Sequence, residues 1–301
     1  MKALVGLFSN VGFLRRPDTI PVTGAGCRVH YTWVCREPFQ PTPKQRFPVP
    51  PNSFERAFIN AQRYPAAQIQ FWFDPRFVPE EVLNDMEAYI KERNCPNIKI
   101  RSLLTIKGYT DNIHFAPGVG APNPLGHEHK DFELYARADL VRVEVMNADL
   151  NGELEDAVLG EKAAYKFWAD WDMPDLGLNL PDLAATLNRF GIGFCLAKGS
   201  VLENGYFACR SDKVDSEYFQ DLLINSRKSF LSGDSRWGFG AFSHALERWG
   251  HRYNKSASRD SQIEFNSYGV GVTMPAVVIS GLSMPGSGTA DAVLVNQAPS
   301  R

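Results

Sequence analysis

Short apolar runs alternate along the chain with longer stretches in which apolar residues lie three or four positions apart. Runs rich in β-branched and aromatic residues predict buried strands, whereas the wider spacing predicts helices that bury one face. The first half of the chain carries predicted strands over 27–35, 68–73 and 98–104 and predicted helices over 53–64 and 79–90. Strands that alternate with helices are typical of an α/β fold, so we expect a mostly parallel central sheet flanked by helices. Binding sites in such sheets lie at the carboxyl ends of the strands.

The second half continues the pattern with a helix over 132–146, a polar connection over 147–161 and an aromatic strand that carries residues 170–172 at its end. The remaining predicted elements are helices over 182–189, 215–231 and 239–249 and strands over 194–197, 206–209 and 276–280. Prolines and glycines predict loops over 36–52 and 114–126. We expect one domain over residues 28–284, with an N-terminal extension over 1–27 and a flexible tail over 285–301.

The composition is that of an ordinary globular protein, with 301 residues of which 44% are hydrophobic and 22% charged. A formal net charge of −2 gives no basic excess, so we expect no nucleic-acid partner. The five cysteines are scattered without metal-ligand spacing, which predicts reduced thiols. No apolar run is long enough for a transmembrane segment, and no clear cleavage site follows the N-terminal apolar run. We therefore expect a cytoplasmic protein or one secreted without a cleaved signal peptide.

Two carboxylates, Asp170 and Asp172, follow an apolar and aromatic run. In a strand, residues two apart point to the same face, and neighbouring like charges repel unless a cation or hydrogen bonds offset them. This spacing indicates a hard divalent ion whose shell phosphate oxygens could complete. The alternative is a solvated turn, since Pro174 follows closely.

Other side chains fit the same chemistry. Trp33 stands near the end of the first predicted strand, where its indole could stack on a base or simply fill the core. Asp139 and Arg142 are three apart on a predicted helix and so share a face. They form either a surface salt bridge or part of a site in which Arg142 meets phosphate bidentately. Combined with Asp170 and Asp172, these residues predict a nucleoside-diphosphate site.

The order of short motifs extends this prediction between residues 28 and 250. The motifs are Val29-His30-x-x-Trp33, Asn60, the strand end at Asp74, Ala136-x-x-Asp139-x-x-Arg142, Trp168-x-Asp170-x-Asp172, Glu203-Asn204 and an aromatic glycine-rich helix from Trp237. In this order they resemble the GT-A glycosyltransferases with a DXD sugar-binding region. That family includes mannosyltransferases and the glucosylating domains of the large clostridial toxins and related bacterial effectors.

The resemblance implies a role for each matched residue. Asp170 and Asp172 would bind Mn²⁺ or Mg²⁺, and Asp170 would also contact the donor. The donor pocket would be formed by Thr32, Trp33, Val34, Asn60, Asp74, Asp139, Arg142 and Trp168. Glu203 and Asn204 would face the reacting sugar carbon, although a turn before a strand is an alternative for them. His251, Asn254 and Asn296 are candidates for a last metal ligand.

The activity implied is transfer of a sugar, with retention of configuration, from a nucleoside-diphosphate sugar to a protein or glycan. A UDP-sugar is favoured over a GDP-sugar. Two alternatives stay open: an inactive GT-A-like protein that binds nucleotide sugars, and another metal-dependent nucleotidyl or phosphoryl transferase. A zinc site at His127 and His129 is disfavoured because these residues lack helical spacing.

Overall fold

A computed structural model describes residues 22, 24–33, 53–76, 78–112, 132–154, 163–197, 201–214, 218–225, 248, 255 and 278–283. The strands are β1 (Cys27–Trp33), β2 (Gln68–Phe73), β3 (Ile98–Ser102), β4 (Tyr165–Ala169), β5 (Ile192–Ala197), β6 (Val201–Arg210) and β7 (Val278–Ser283). The α-helices are α1 (Ser53–Arg63), α2 (Glu80–Glu92), α3 (Lys107–Asn112), α4 (Phe132–Leu150) and α5 (Pro181–Phe190). None of the helices within these ranges is both long enough and apolar enough to span a bilayer.

The strands form a single sheet in the order β3-β2-β1-β4-β6-β5-β7. All neighbouring strands are parallel except the two that flank β6, which runs antiparallel to both. The predicted α/β fold with a mostly parallel central sheet is therefore confirmed. The chain winds from β1 outward to β3 and then returns to place β4 on the other side of β1. The winding direction thus changes between β1 and β4, and in open α/β sheets ligands bind at the carboxyl ends of the strands at such a point.

The two faces of the sheet differ in chemistry because alternate residues of each strand point to opposite sides. On one face Tyr31, Phe71 and Phe167 belong to an apolar cluster with residues of α1, α2 and α5. The other face is covered by α3, α4 and the helical residues 218–225. Its centre is polar, since Arg28 of β1 lies beside Lys166 of β4 in the register of the two strands.

A buried carboxylate ties α4 to this polar face. Oδ1 of Asp149, in the last turn of α4, lies 2.5 Å from Nη1 of Arg28 and 3.0 Å from Nζ of Lys166. Oδ2 of Asp149 lies 2.7 Å from Nε2 of His30. All four side chains are fully buried, and we call them the Asp149 network. Burial alone would raise the pKa of Asp149, but the hydrogen bond from His30 and the positive charges outweigh burial and hold that pKa below its usual range.

Several predicted elements agree with the structure, and their deviations have local causes. Strand 68–73 is confirmed, and the predicted helices over 79–90 and 182–189 correspond to α2 and α5. The strand predicted over 98–104 ends at Ser102, whose hydroxyl accepts a hydrogen bond from the backbone nitrogen of Leu104 and starts a 3₁₀ turn over Leu103–Thr105. The short helix α3 was not predicted.

The second half shows two larger differences. Helix α4 continues to Leu150, so the polar connection predicted from residue 147 begins too early. The reason is that Asp149 is buried and paired, so a charged residue there does not mark a solvated loop. Strand β6 begins at Val201 rather than at 206. The predicted loops over 36–52 and 114–126 and most of the helix over 239–249 lie outside the described residues, as does the predicted domain boundary between residues 284 and 285. Residues 27 and 28, on the two sides of the other predicted boundary, both belong to β1.

The buried state of His30 makes a pH dependence testable. Burial lowers the pKa of His30 below its ordinary value, and the hydrogen bond to Asp149 offsets only part of that effect. The unfolded chain then binds more protons than the folded chain below about pH 6.5, so the free energy of unfolding falls as the pH falls from that value, by at most about 1.4 kcal/mol per pH unit. Urea unfolding between pH 5 and pH 7.5 should show a steeper loss for the wild type than for His30→Gln, which cannot titrate. Equal slopes would contradict a neutral buried histidine.

Candidate functional site

Asp170 and Asp172 lie in a tight turn immediately after β4. The backbone nitrogen of Met173 donates to the carbonyl of Asp170 at 3.0 Å, which closes a turn over residues 170–173, the Asp-x-Asp turn. The backbone nitrogen of Asp170 donates to the carbonyl of Gly205 in β6 at 2.7 Å. The expectation that both carboxylates sit on one face of a strand is therefore wrong, because the strand ends at Ala169. The turn nevertheless places them at the carboxyl edge of β4.

Helix α1 holds the backbone of this turn from the apolar side of the sheet. Nη1 of Arg56 donates to the carbonyl of Asp172 at 2.6 Å. One helical turn later, Nδ2 of Asn60 donates to the carbonyl of Met173 at 3.0 Å, and its Oδ1 accepts from the backbone nitrogen of Leu176 at 3.2 Å. Asn60 is fully buried, so the structure places this predicted donor-pocket residue beneath the turn as a support. The contribution of Arg56 was not found from the sequence.

The residue between the two carboxylates also fixes the turn. Nε1 of Trp171 donates to the carbonyl of Thr32 at 2.7 Å, and the Trp171 ring packs against Tyr31 and Phe71 with centroid separations of 5.1 and 4.6 Å. This contact joins the Asp-x-Asp turn to the carboxyl end of β1. Trp33 is 8% exposed and belongs to the same apolar cluster, which agrees with the alternative of a core tryptophan.

Arg142 approaches the Asp-x-Asp turn from the polar side of the sheet. Its Nη2 lies 3.4 Å from Oδ1 of Asp170, and its guanidinium carbon lies 5.5 Å from the centroid of the Trp168 ring. Nε1 of Trp168 donates to the same carboxylate oxygen at 3.3 Å. The Arg142 side chain is 6% exposed, so it is not the surface arginine of the salt-bridge alternative, whereas Asp170 is 36% exposed. A positive group is thus held beside a carboxylate that solvent and ligands can reach.

At the end of β2, Asp74 forms a separate polar group. Arg76 donates to its carboxylate through Nε at 3.0 Å and through Nη2 at 2.6 Å, and Tyr109 donates to the same carboxylate. Burial alone would raise the pKa of Asp74, but these hydrogen bonds outweigh burial and lower it. Arg76 is 45% exposed at the carboxyl edge. Neither Arg76 nor Tyr109 was found from the sequence, although an arginine two residues after a strand-ending acid was an available signal.

The remaining predicted residues are only partly described. Asp139 lies on α4 one turn before Arg142, and the described part of that helix does not include its side chain. Glu203 and Asn204 lie within β6, so the alternative of a turn before a strand is wrong, and their side chains are likewise not described. Val34, His127, His129, His251, Asn254 and Asn296 lie outside the described residues.

The donor set at the Asp-x-Asp turn fits a hard divalent ion that also binds phosphate. Within the described ranges no group of three His, Cys, Asp or Glu side chains could hold a metal by itself. Mg²⁺ is usually bound through one or two carboxylates together with substrate phosphates and water, rather than by an all-protein cage. Asp170 and Asp172 are therefore the residues that could hold such an ion.

The support role of Asn60 can be tested against an exposed amide on the same helix. Asn60→Ala removes a buried side chain that satisfies two backbone groups, so we expect it to lower the free energy of unfolding by about 1–3 kcal/mol. Gln62 also donates to a backbone carbonyl, that of Arg93, but is exposed, and Gln62→Ala should change stability by less than about 0.5 kcal/mol. Urea unfolding measures both values. Similar costs for the two variants would contradict a buried support at position 60.

No family model matches the chain, and no curated protein sequence matches it either. Solved structures with a similar arrangement include the PaToxG glycosyltransferase, at 11% identity and a TM-score of 0.45, with 76% of this chain and 70% of that chain covered. The bacterial N-acetylglucosamine transferase NleB is similar at 15% identity and a TM-score of 0.42, with 75% and 86% covered. A nucleotide-diphospho-sugar transferase from Desulfovibrio desulfuricans is similar at 10% identity and a TM-score of 0.37, with 75% and 76% covered. At these scores the similarity by itself assigns neither a family nor an activity to this chain.

Proposed function

We propose that this protein is a metal-dependent glycosyltransferase that moves a sugar from a nucleoside-diphosphate sugar to a protein or glycan. The observation that carries this proposal is the meeting of Arg142 with the Asp-x-Asp turn at the carboxyl edge between β1 and β4. Two carboxylates and a buried guanidinium are the groups that a metal-bound diphosphate requires, and they lie where α/β sheets bind ligands. The order of sequence motifs adds the sugar as the group transferred.

Arg142 is suited to the diphosphate because its position is set before the ligand arrives. Its guanidinium lies over the Trp168 ring, and a planar cation held on an aromatic face keeps its donors in a fixed orientation. Negative charge grows on the diphosphate as the bond to the sugar breaks. A preorganised cation at that place lowers the barrier, because no reorganisation is needed at the moment of reaction.

In this proposal Asp170 and Asp172 bind the metal ion, and Asp170 also contacts the donor. Both would hold Mn²⁺ or Mg²⁺, which when bound would neutralise charge on the leaving diphosphate. Oδ1 of Asp170 already accepts from Trp168 and lies beside Arg142, so its other oxygen is better placed to meet an ion or a donor hydroxyl. Thr32 lies at the end of β1, next to the turn, where a nucleoside could bind. Asp139, Glu203 and Asn204 keep the roles that the family resemblance implies, in the sugar pocket.

The donor can be found with a panel of UDP- and GDP-sugars, each with and without Mn²⁺. A ligand that binds only the folded state raises the melting temperature, so thermal shift identifies the donor and its metal requirement. Release of the nucleoside diphosphate then reports transfer to water or to an acceptor. We expect manganese-dependent stabilisation by a UDP-sugar together with slow release. Stabilisation without release, even with candidate acceptors, would favour an inactive binding protein, and the absence of any shift would contradict the proposed site.

A matched pair of variants tests the carboxylates. Asp172→Asn removes one proposed metal ligand, and we expect nucleoside-diphosphate release to fall by about 100-fold or more, since loss of one electrostatic group commonly costs that much. Asp175→Asn is the control, because Asp175 pairs with Arg63 at 2.5 Å and accepts from Tyr64 at 2.6 Å instead of facing the site. It should keep release within about threefold of the wild type. Wild-type release by Asp172→Asn would show that this residue is not a metal ligand.

A further inference from the structure

We propose that the Asp149 network is a positioning device for the site: it fixes helix α4 on the sheet so that Arg142 meets Asp170. The residues concerned, Arg28, His30, Asp149 and Lys166, are fully buried and none of them reaches the proposed ligand. The effect on turnover rests on the proposed function, whereas the effect on α4 does not.

The network has a defined hydrogen-bond direction that runs through three elements. Nε1 of Trp72 in β2 lies 2.9 Å from Nδ1 of His30 in β1. An indole N–H can only donate, so Nδ1 of His30 accepts and carries no proton. The proton of the neutral ring is then on Nε2, which donates to Oδ2 of Asp149 in α4. His30 thus links β2 to α4 as a neutral group, and its ring has one orientation that satisfies both partners.

Helix α4 contacts the polar face through two residues whose separation along the helix is close to the separation of their partners along β4. Arg142 and Asp149 are seven residues apart, which is nearly two full turns, so both side chains lie on the same side of the helix about 10 Å apart along its axis. Their partners Asp170 and Lys166 are four residues apart on and just after β4, or about 13 Å. The long side chain of Arg142 spans the difference. Helix and strand therefore run antiparallel, and the position of one contact determines the position of the other.

Directional contacts matter here because most of the buried surface of this helix between the two contacts is apolar. The buried residues of α4 between the two contacts are valines, methionine and alanine together with one charged residue, Glu144, and apolar packing does not by itself select one axial position. A buried ion pair is also costly, and well-packed apolar side chains of similar volume often serve stability as well or better. A device that defines register is the best-attested reason for keeping such a group, and the register here decides where Arg142 lies.

Two isosteric replacements of His30 separate the positioning role from burial of a polar group. In His30→Gln, the amide nitrogen stands where Nε2 stood and can still donate to Asp149. In His30→Asn, the amide can still accept from Trp72 but is too short to reach Asp149. Both replacements are neutral, so neither changes the charge of the buried network. We expect His30→Asn to lose the hydrogen bond from position 30 to Asp149, with Arg28 and Lys166 still paired to that carboxylate, and His30→Gln to keep the hydrogen bond.

Hydrogen exchange measures the effect on α4 without any ligand. Amides of residues 140–150 should exchange roughly tenfold faster in His30→Asn than in the wild type, and within about threefold of the wild type in His30→Gln. Residues 170–176 should be unchanged in both variants, because α1 holds them from the opposite face. Equal exchange of residues 140–150 in the two variants, or no change in either, would overturn the proposal whether or not the protein transfers sugars.

A double-mutant cycle tests whether the network acts through Arg142. His30→Asn should reduce nucleoside-diphosphate release by roughly 10- to 100-fold in the wild type, since small misplacements of a catalytic group cost that much. In an Arg142→Gln background the same change should cost less than about twofold, because the group being positioned is absent. Arg142→Met, which likewise removes the cation, serves the same purpose if Arg142→Gln does not fold. A cycle of His30→Asn with Arg56→Gln is the control. Arg56 contacts the turn from the opposite face, so the fold-reductions in release caused by the two single variants should multiply in the double variant.

The outcomes separate the two proposals. If the wild type neither binds nor cleaves any donor, the proposed function fails and hydrogen exchange alone decides the role of the network. If the wild type is active but the effects of His30→Asn and Arg142→Gln multiply, the network affects activity by another route and the positioning role is wrong.

Discussion

The arrangement of the site depends on the buried carboxylate of Asp149. Removing one partner from a buried ion pair leaves an uncompensated charge and commonly costs about 3–5 kcal/mol, so Arg28 and Lys166 require a carboxylate at this place. That carboxylate comes from the last turn of α4. The sheet therefore accepts α4 in one position only. With α4 in that position, the helix brings Arg142 to Asp170 at the carboxyl edge of β4.

The Asp-x-Asp turn is held from both faces of the sheet by different means. On the apolar face, α1 binds its backbone through Arg56 and Asn60. On the polar face, Arg142 of α4 lies beside the carboxylate of Asp170. The groups from α1 thus fix the backbone of the turn, whereas Arg142 contacts the side chain of Asp170. Such a division is what a preorganised site needs, because its first contacts must be rigid before the ligand binds.

How far the sequence could predict this structure varies with the kind of contact. Strand 68–73 was predicted well because its residues are mainly aromatic and β-branched and its end is marked by the Asp74-Pro75 pair. Asp170 and Asp172 could also be identified from neighbouring residues alone, because two acidic residues one position apart after an aromatic run form a recognisable sequence motif. A turn at Asp170 was only the alternative prediction, made because Pro174 follows closely, and the backbone bond from Asp170 to Gly205 depends on the fold.

The supports of the site were missed for the same physical reason. Asp149 and Arg28 are 121 positions apart, and only the fold shows that residues 147–150 are helical, with Ala148 and Asp149 buried, instead of a solvated connection. Asn60 was predicted to line the donor pocket, but its partners are backbone groups more than 110 residues away. Side chains that bind a ligand tend to leave a short motif, whereas side chains that hold those residues in place depend on distant partners.

A crystal structure of the protein with Mn²⁺ and a non-hydrolysable UDP-sugar would test the central claim most directly, through the anomalous signal of manganese. The account predicts the ion within coordination distance of the carboxylates of Asp170 and Asp172, with the diphosphate between the ion and Arg142 at the carboxyl edge between β1 and β4. Manganese bound elsewhere, or a diphosphate that makes no contact with either the Asp-x-Asp turn or Arg142, would contradict it.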